Sequence, residues 1–344
     1  MIIKKNFLFF ICSTMLLSYV VGNRGDTNDT ATYVHIFKNI NEFNLFNPIE
    51  FYEITGVEIG YGWYSYLISL FTQNHFFLLS IFSFLNFFII YKVSDKMKIN
   101  YFPVFLLYVS SAYFLMQQFM QMRQGVAIPI ALLAIITVII SRRKVTLSFI
   151  ILSFVAFSLH QTAFLVIFCG YLLNIYLTNK FTSVKKFKFF VIFIFFISIL
   201  ISKFFLIDIF LNFSDRLVQY SNSTYSESIN LLRIPNVKSV LVLVLLILLM
   251  NDKMNKNSIF RVFLCLLSIG VAFRIGFSNF AILSGRLSTA FLHTEIFLLP
   301  FIFSRFRYFY GNIMLFFYVL LQFISVYFFQ APYVLEFYFY PLEV

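Results

Sequence analysis

Hydrophobic positions in this chain gather in unbroken runs rather than alternating with polar ones. Runs of roughly 16 to 20 apolar residues recur from end to end, parted by short breaks of Lys, Arg, Asn and Ser. A helix of that length matches the hydrocarbon thickness of a bilayer. The pattern predicts eleven spans: 6–22, 75–92, 101–119, 124–141, 145–160, 163–179, 187–206, 237–251, 259–275, 287–304 and 309–328. The expected fold is therefore an all-α polytopic membrane protein of about 11 transmembrane helices, one integral-membrane domain over residues 1–344. Residues 1–22 carry Lys4 and Lys5 ahead of an apolar stretch and read as an uncleaved first span rather than a cleaved signal peptide. Two polar stretches stand out as longer loops, 23–74 and 207–236. The first closes on "EIGYGWYSYLISLF", which predicts a short interfacial or re-entrant helix.

Charge gives the runs a direction. Only 12% of residues are charged, against about 25% in soluble domains. The alternation of spans puts 17 of the 26 Lys and Arg on one side, in the clusters Lys4/Lys5, Lys92/Lys96/Lys98, Arg142/Arg143/Lys144, Lys180/Lys185/Lys186/Lys188, Lys253/Lys256/Arg261 and Arg305/Arg307. By the positive-inside rule that side, with the N-terminus, is cytoplasmic, and the C-terminus is outside. The net charge of +12 is spread over short clusters, which reports topology and not a nucleic-acid face. The outer half keeps Arg24, Lys38, Arg123, Lys203, Arg216, Arg233, Lys238, Arg274 and Arg286. Six of those nine are Arg, whereas 12 of the 17 inner ones are Lys. Lysine suffices as an anchor; the planar arginine fork binds phosphate or carboxylate at two points. Cys12, Cys169 and Cys265 each lie in an apolar run, without the spacing of a metal site or a disulfide framework.

Four outer patches join polar chemistry to a helix end. Arg123-Gln124-Gly125 opens a span where unpaired backbone N–H groups also favour an anion. An interfacial arginine that snorkels would look the same. Gln117, Gln121 and Gln124 fall at helical spacings and predict a shared polar face bordering a wet cavity. His160, in "SLHQTAFLV", is either an acid–base or hydrogen-bonding group or a core histidine satisfied by a carbonyl. "SDRLVQYSNSTYSESINLLR" sets Arg216 beside Tyr220, a pairing that suits sugar as well as a plain solvated loop. In "FRIGFSNFAILSGRLSTAFLHTEIF", Arg274 closes one span and Arg286 opens the next, so the two are expected close together. His293 and Glu295 follow inside an apolar run, two positions apart and so on different sides of a helix.

Several of these stretches resemble motifs of the EpsG family of bacterial inner-membrane proteins, which is grouped with Wzy-type polysaccharide polymerases. "MRQGVAIPIAL" resembles its arginine–glutamine motif, and "RGDTNDTATYVHIF" its Asp-x-x-x-Tyr motif through Asp29 and Tyr33. "EIGYGWYSYL" resembles the Glu-x-Gly-aromatic segment through Glu58 and Gly60 to Trp63. "LHQTAFLV" resembles the His-x-Ser/Thr-Ala motif through His160, Thr162 and Ala163. "SDRLVQY" and "SGRLSTAF" resemble the later arginine motifs through Arg216 with Tyr220, and Arg286. The chain departs at Thr27-Asn28-Asp29, where the family tends to Gly-Thr/Ser-Asp, and at Ile59, where proline is common.

The resemblance implies a membrane glycosyltransferase working outside the cytoplasmic membrane. Polyprenyl-pyrophosphate-linked oligosaccharides would be its partners, with no cofactor, metal or nucleic acid. One glycan would move from its carrier onto a sugar hydroxyl of another, in O-antigen, capsule or exopolysaccharide synthesis. A chain-length regulator and a flippase of the same pathway would work beside it. His160, Arg123 and Asp29 are then the catalytic candidates. Arg216, Arg286, Arg274, Gln124, Tyr220, Tyr33 and Arg24 are the phosphate- and substrate-binding ones. A lipid-linked oligosaccharide flippase and an O-antigen-ligase-like transferase remain the alternatives.

Overall fold

In the computed structural model, residues 2–142, 144–178, 183–207 and 228–342 are described, and among them all regular structure is helical. The chain divides into two compact units, Met1–Ile167 with Phe306–Val344, and Phe168–Arg305. The first unit holds α1 (Ile2–Gly22), α2 (Thr30–Lys38), α3 (Pro48–Thr55), α4 (Ile59–Ser69), α5 (His75–Lys96), α6 (Tyr101–Val109), α7 (Ala112–Phe119), α8 (Met122–Ile140), α9 (Leu147–Leu159) and the start of α10 (Thr162–Leu177). The second holds the rest of α10 and α11 (Val184–Ile201), α12 (Ile234–Leu249), α13 (Asp252–Lys256), α14 (Ser258–Gly276), α15 (Ser288–Leu292) and α16 (Glu295–Phe303). Finally α17 (Tyr308–Ile324) and α18 (Pro332–Tyr338) return to the first unit.

Each of the eleven apolar segments falls on a helix or a bent helix pair. Among the described residues, by length and composition five helices can cross a membrane, or seven if each bent pair is one span, and four further apolar helices are shorter. The protein is a polytopic helical one. Segment 101–119 is not one straight helix: α6 and α7 meet at 76° across Ser110 and Ser111. The later pair, 283–292 with 295–303, bends by 47° at His293 and Thr294.

A helix broken in apolar surroundings exposes carbonyls that need donors. At the end of α6, Gln322 Nε2 donates to Leu107 O (3.0 Å) and to Ser110 Oγ (2.9 Å). Tyr327 O–H donates to Val109 O at 2.8 Å. At the end of α7, the Arg24 guanidinium donates to Gln118 O and the Thr27 hydroxyl to Phe119 O.

The second break ends the idea of a single glutamine face. Met120 leaves helical geometry (φ −126°, ψ −77°), so Gln117 lies on α7 while Gln124 lies on α8. Gln117, Gln118 and Gln124 are all buried, and the amides of Asn86 and Gln118 both donate to Tyr108 Oη at 3.1 Å. The glutamines that the spacing joined on one face are thus divided between two helices, with Gln117 and Gln124 buried.

The stretch 23–74 is largely helical as well. Asn47 caps α3, its side chain accepting from Glu50 N–H at 3.3 Å, Pro48 starts the helix, and Gly56 ends it at φ 67°. These are ordinary start and stop signals on helices too short to register as apolar runs.

α8 in the first unit and α14 in the second are mostly apolar and mostly buried. Gly125 lets α8 close on its neighbours. A Cβ there would stand 2.7 Å from Gln117 O and 2.8 Å from Asn86 Nδ2. Because the first of these atoms is backbone, Gly125→Ala should destabilise the protein by about 1–3 kcal/mol. A lowered thermal midpoint of the purified protein in detergent would register this; an unchanged midpoint would show that the helices part easily.

Candidate functional site

Four motif segments distant in sequence converge in the first unit. Gly60 brings α4 against the end of α9, where an added Cβ would sit 2.6 Å from Ser158 O. Trp63, one turn further, stacks on Phe154 of α9 with centroids 6.0 Å apart and donates its indole N–H to Leu45 O at 3.0 Å. That close approach carries Glu58, the residue preceding α4, to the junction of α9 and α10.

There Glu58 bridges two groups. Oε1 accepts from Gln161 N–H at 3.2 Å, at the N-terminus of α10, where a carboxylate is favoured by the helix dipole. Oε2 forms an ion pair with the guanidinium of Arg123, in the first turn of α8. Both side chains keep some exposure, 14% for Arg123 and 13% for Glu58. Arg123 Nε also donates to Tyr33 Oη at 3.4 Å, and its guanidinium carbon lies 5.7 Å from the Tyr33 ring centroid. Tyr33 is buried, and Tyr61 O–H donates to its carbonyl at 3.1 Å. Burial raises the Tyr33 phenol above its ordinary value, and Arg123 opposes the shift. Tyr33 is thus a neutral platform for the arginine.

His160 sits between α9 and α10. Its Nδ1 accepts from Thr162 N–H at 3.2 Å and lies 2.9 Å from Thr162 Oγ1. Since Nδ1 is an acceptor, the neutral ring carries its proton on Nε2. His160 is built as a hydrogen-bond donor through Nε2 rather than as a base through Nδ1.

The other predicted residues are placed as follows. Asp29 precedes α2, half-buried, with no capping bond from its side chain. Gln124 is fully buried one residue after Arg123. Arg24 is buried, bonding Gln118 O and, at 2.8 Å, Met122 Sδ, so its fork is spent on the α7–α8 break. Burial pushes its guanidinium down to about 10, with Tyr33, Tyr61 and Asp29 opposing, and it stays charged at neutral pH. In the second unit, Ser284 Oγ donates to Arg274 O at 2.8 Å, tying the end of α14 to the π-helical segment Leu283–Leu287. Arg286 projects from that segment and is exposed. Arg216 and Tyr220 lie outside the described residues. Among the described residues, no three His, Cys, Asp or Glu gather as a metal site.

Compared with known families, residues 7–344 match the EpsG family model, nearly the whole chain. The chain belongs to the EpsG family. Membership ties this EpsG protein to polysaccharide biosynthesis as a glycosyltransferase-like polymerase, and with the apolar helices it makes a multi-pass membrane protein. No curated protein and no solved structure matches the chain.

Sequence reasoning named Glu58 only as part of a motif and missed its pairing with Arg123. The signal was an acidic residue directly before a glycine-containing helix start. It also missed the partner of Glu295: Lys238 Nζ lies 2.7 Å from Glu295 Oε1, joining α12 to α16. The glutamate is 3% exposed and the lysine 27%. Replacing Lys238 by Met takes this cation from a buried carboxylate. The cost should be about 2–3 kcal/mol, the lower side of the range for buried pairs because the lysine keeps some solvent. Lys238→Met with Glu295→Leu should recover most of it. Thermal midpoints of the single and double variants measure both, and equal losses in the two would rule out this pairing energy.

Proposed function

We propose that this EpsG protein polymerises polyprenyl-pyrophosphate-linked oligosaccharide repeat units at the outer face of the bacterial inner membrane. In this reading the four shorter apolar helices cross the membrane with the long ones and the bent pairs, making eleven spans with the N-terminus inside and the C-terminus outside. The distribution of Lys and Arg supports that orientation. Arg123, Glu58, Tyr33 and His160 then lie together on the outer side.

The observation that carries the proposal is the setting of Arg123. Its fork holds an oxyanion, a carboxylate, at a helix start that keeps only slight exposure in an apolar protein. A pyrophosphate leaving group gathers negative charge as its bond to the sugar breaks, and a preorganised guanidinium stabilises that charge most where water is scarce. His160 donates its Nε2 proton in a hydrogen bond to a phosphate or sugar oxygen. Tyr33 backs the arginine, while Gln124, next to Arg123 in α8, and Asp29, whose backbone carbonyl accepts from Tyr33 N–H at 3.1 Å, are further candidates beside them. Arg24 positions Arg123 indirectly by capping α7. Arg216 with Tyr220, Arg274 and Arg286 are further phosphate- and sugar-binding candidates, on the resemblance of their motifs. A chain-length regulator and a flippase act in the same pathway.

Arg123→Lys should abolish or greatly shorten long-chain glycan while the protein still inserts, since a point charge does not replace a fork. A surface-polysaccharide gel reads the outcome, and an unchanged ladder would sink the phosphate role. Deleting the gene separates the rival classes. Single repeat units on surface glycan mark a polymerase, full polymer left on the carrier a ligase, and loss of outer-leaflet units a flippase.

A further inference from the structure

Resting on that reading, we infer that Glu58 is the base that takes the acceptor proton, and that it exchanges Arg123 with the leaving pyrophosphate as it does so. The two oxygens of Glu58 are held differently. Oε1 is fixed by the backbone N–H of Gln161, which sets the carboxylate plane. Oε2 is shielded from solvent, held by the ion pair with Arg123 and, among the described residues, by no hydrogen bond, so a sugar hydroxyl reaches it only once Arg123 moves off. The carboxylate is anchored at one end and exchangeable at the other. The alternatives are less suited: His160 Nδ1 is occupied as an acceptor, and Asp29 lacks an anchoring bond from its side chain.

The exchange follows from charge. Before the carrier arrives, Glu58 occupies the fork of Arg123, standing where an anion would bind. A pyrophosphate carries more charge than one carboxylate and draws the guanidinium to itself. A carboxylate that loses its cation in a half-buried site becomes a better proton acceptor. Glu58 Oε2 then removes the proton of the attacking sugar hydroxyl. That oxygen's electron pair forms the new bond to the anomeric carbon, while the old carbon–oxygen bond breaks with its pair going to the phosphate. Polyprenyl pyrophosphate leaves paired with Arg123. Glu58 releases its proton to water and recaptures the arginine, which helps expel the product.

The full-length protein in lipid nanodiscs, a lipid-pyrophosphate-linked repeat unit and the variants Glu58→Gln and Glu58→Asp form the test. Glu58→Gln keeps the shape and the bond from Gln161 but neither base nor charge. Polymer formation should fall roughly 10²- to 10⁴-fold. Binding of polyprenyl pyrophosphate should tighten about three- to fivefold, because the competing carboxylate is gone. Glu58→Asp should retain part of the activity. A protein whose ion pair is merely structural would instead lose binding along with turnover. That result, or turnover within threefold of the wild type, overturns the inference. If the wild type binds the carrier but makes no polymer, the polymerase reading falls, and unchanged pyrophosphate affinity in Glu58→Gln then overturns the exchange separately.

Discussion

Where a helix stops inside an apolar protein, the carbonyls it releases must find donors, and the first unit is organised around that demand. Each unmet carbonyl would cost on the order of 1–3 kcal/mol or more. The bend after α6 is met by Gln322 and Tyr327, more than two hundred residues away in sequence. The end of α7 is met by Arg24 and Thr27. Only because α7 ends there does α8 begin afresh at Met122. Arg123 therefore stands in a first turn, at the positive end of the helix dipole, and not in mid-helix, where its side chain would have to cross apolar packing. The capping of one helix thus places the chemistry of the next.

Much of this was written in the apolar runs. Their positions and their all-helical outcome follow from run length and composition. So does the presence of Arg123 at a helix start, since a charged residue bordering a run marks its end. The bends were not legible. Ser110 and Ser111 are weak breakers, and the run from 101 to 119 continues through them because what stabilises the break is a glutamine and a tyrosine near the end of the chain. Spacing also joined glutamines of two helices into one face, because periodicity presumes one continuous helix.

The pairing of charges was hidden for a similar reason. Arg123 and Glu58 are 65 positions apart and meet only because Gly60 lets α4 approach α9. Lys238 and Glu295 were each visible as a charge near or within an apolar run, yet nothing in their local sequence names the partner. Conversely, Arg24 looked from sequence like another free outer arginine, and only packing reveals that its fork is committed to a carbonyl and a thioether.

The two ion pairs differ in what they can do. Glu295 is almost sealed off, so its pair with Lys238 is one that solvent barely reaches, and it joins α12 to α16. Around Arg123 and Glu58 both partners retain some access, and each has a second attachment that survives separation: Arg123 keeps Tyr33, and Glu58 keeps Gln161. Two charges each held in place without the other can part and re-form without collapse of the surrounding packing. An arginine suits that duty better than a lysine, since its fork can hold the tyrosine with one nitrogen while its remaining nitrogens change partners. The same geometry that makes this pair a modest contributor to stability makes it available for chemistry.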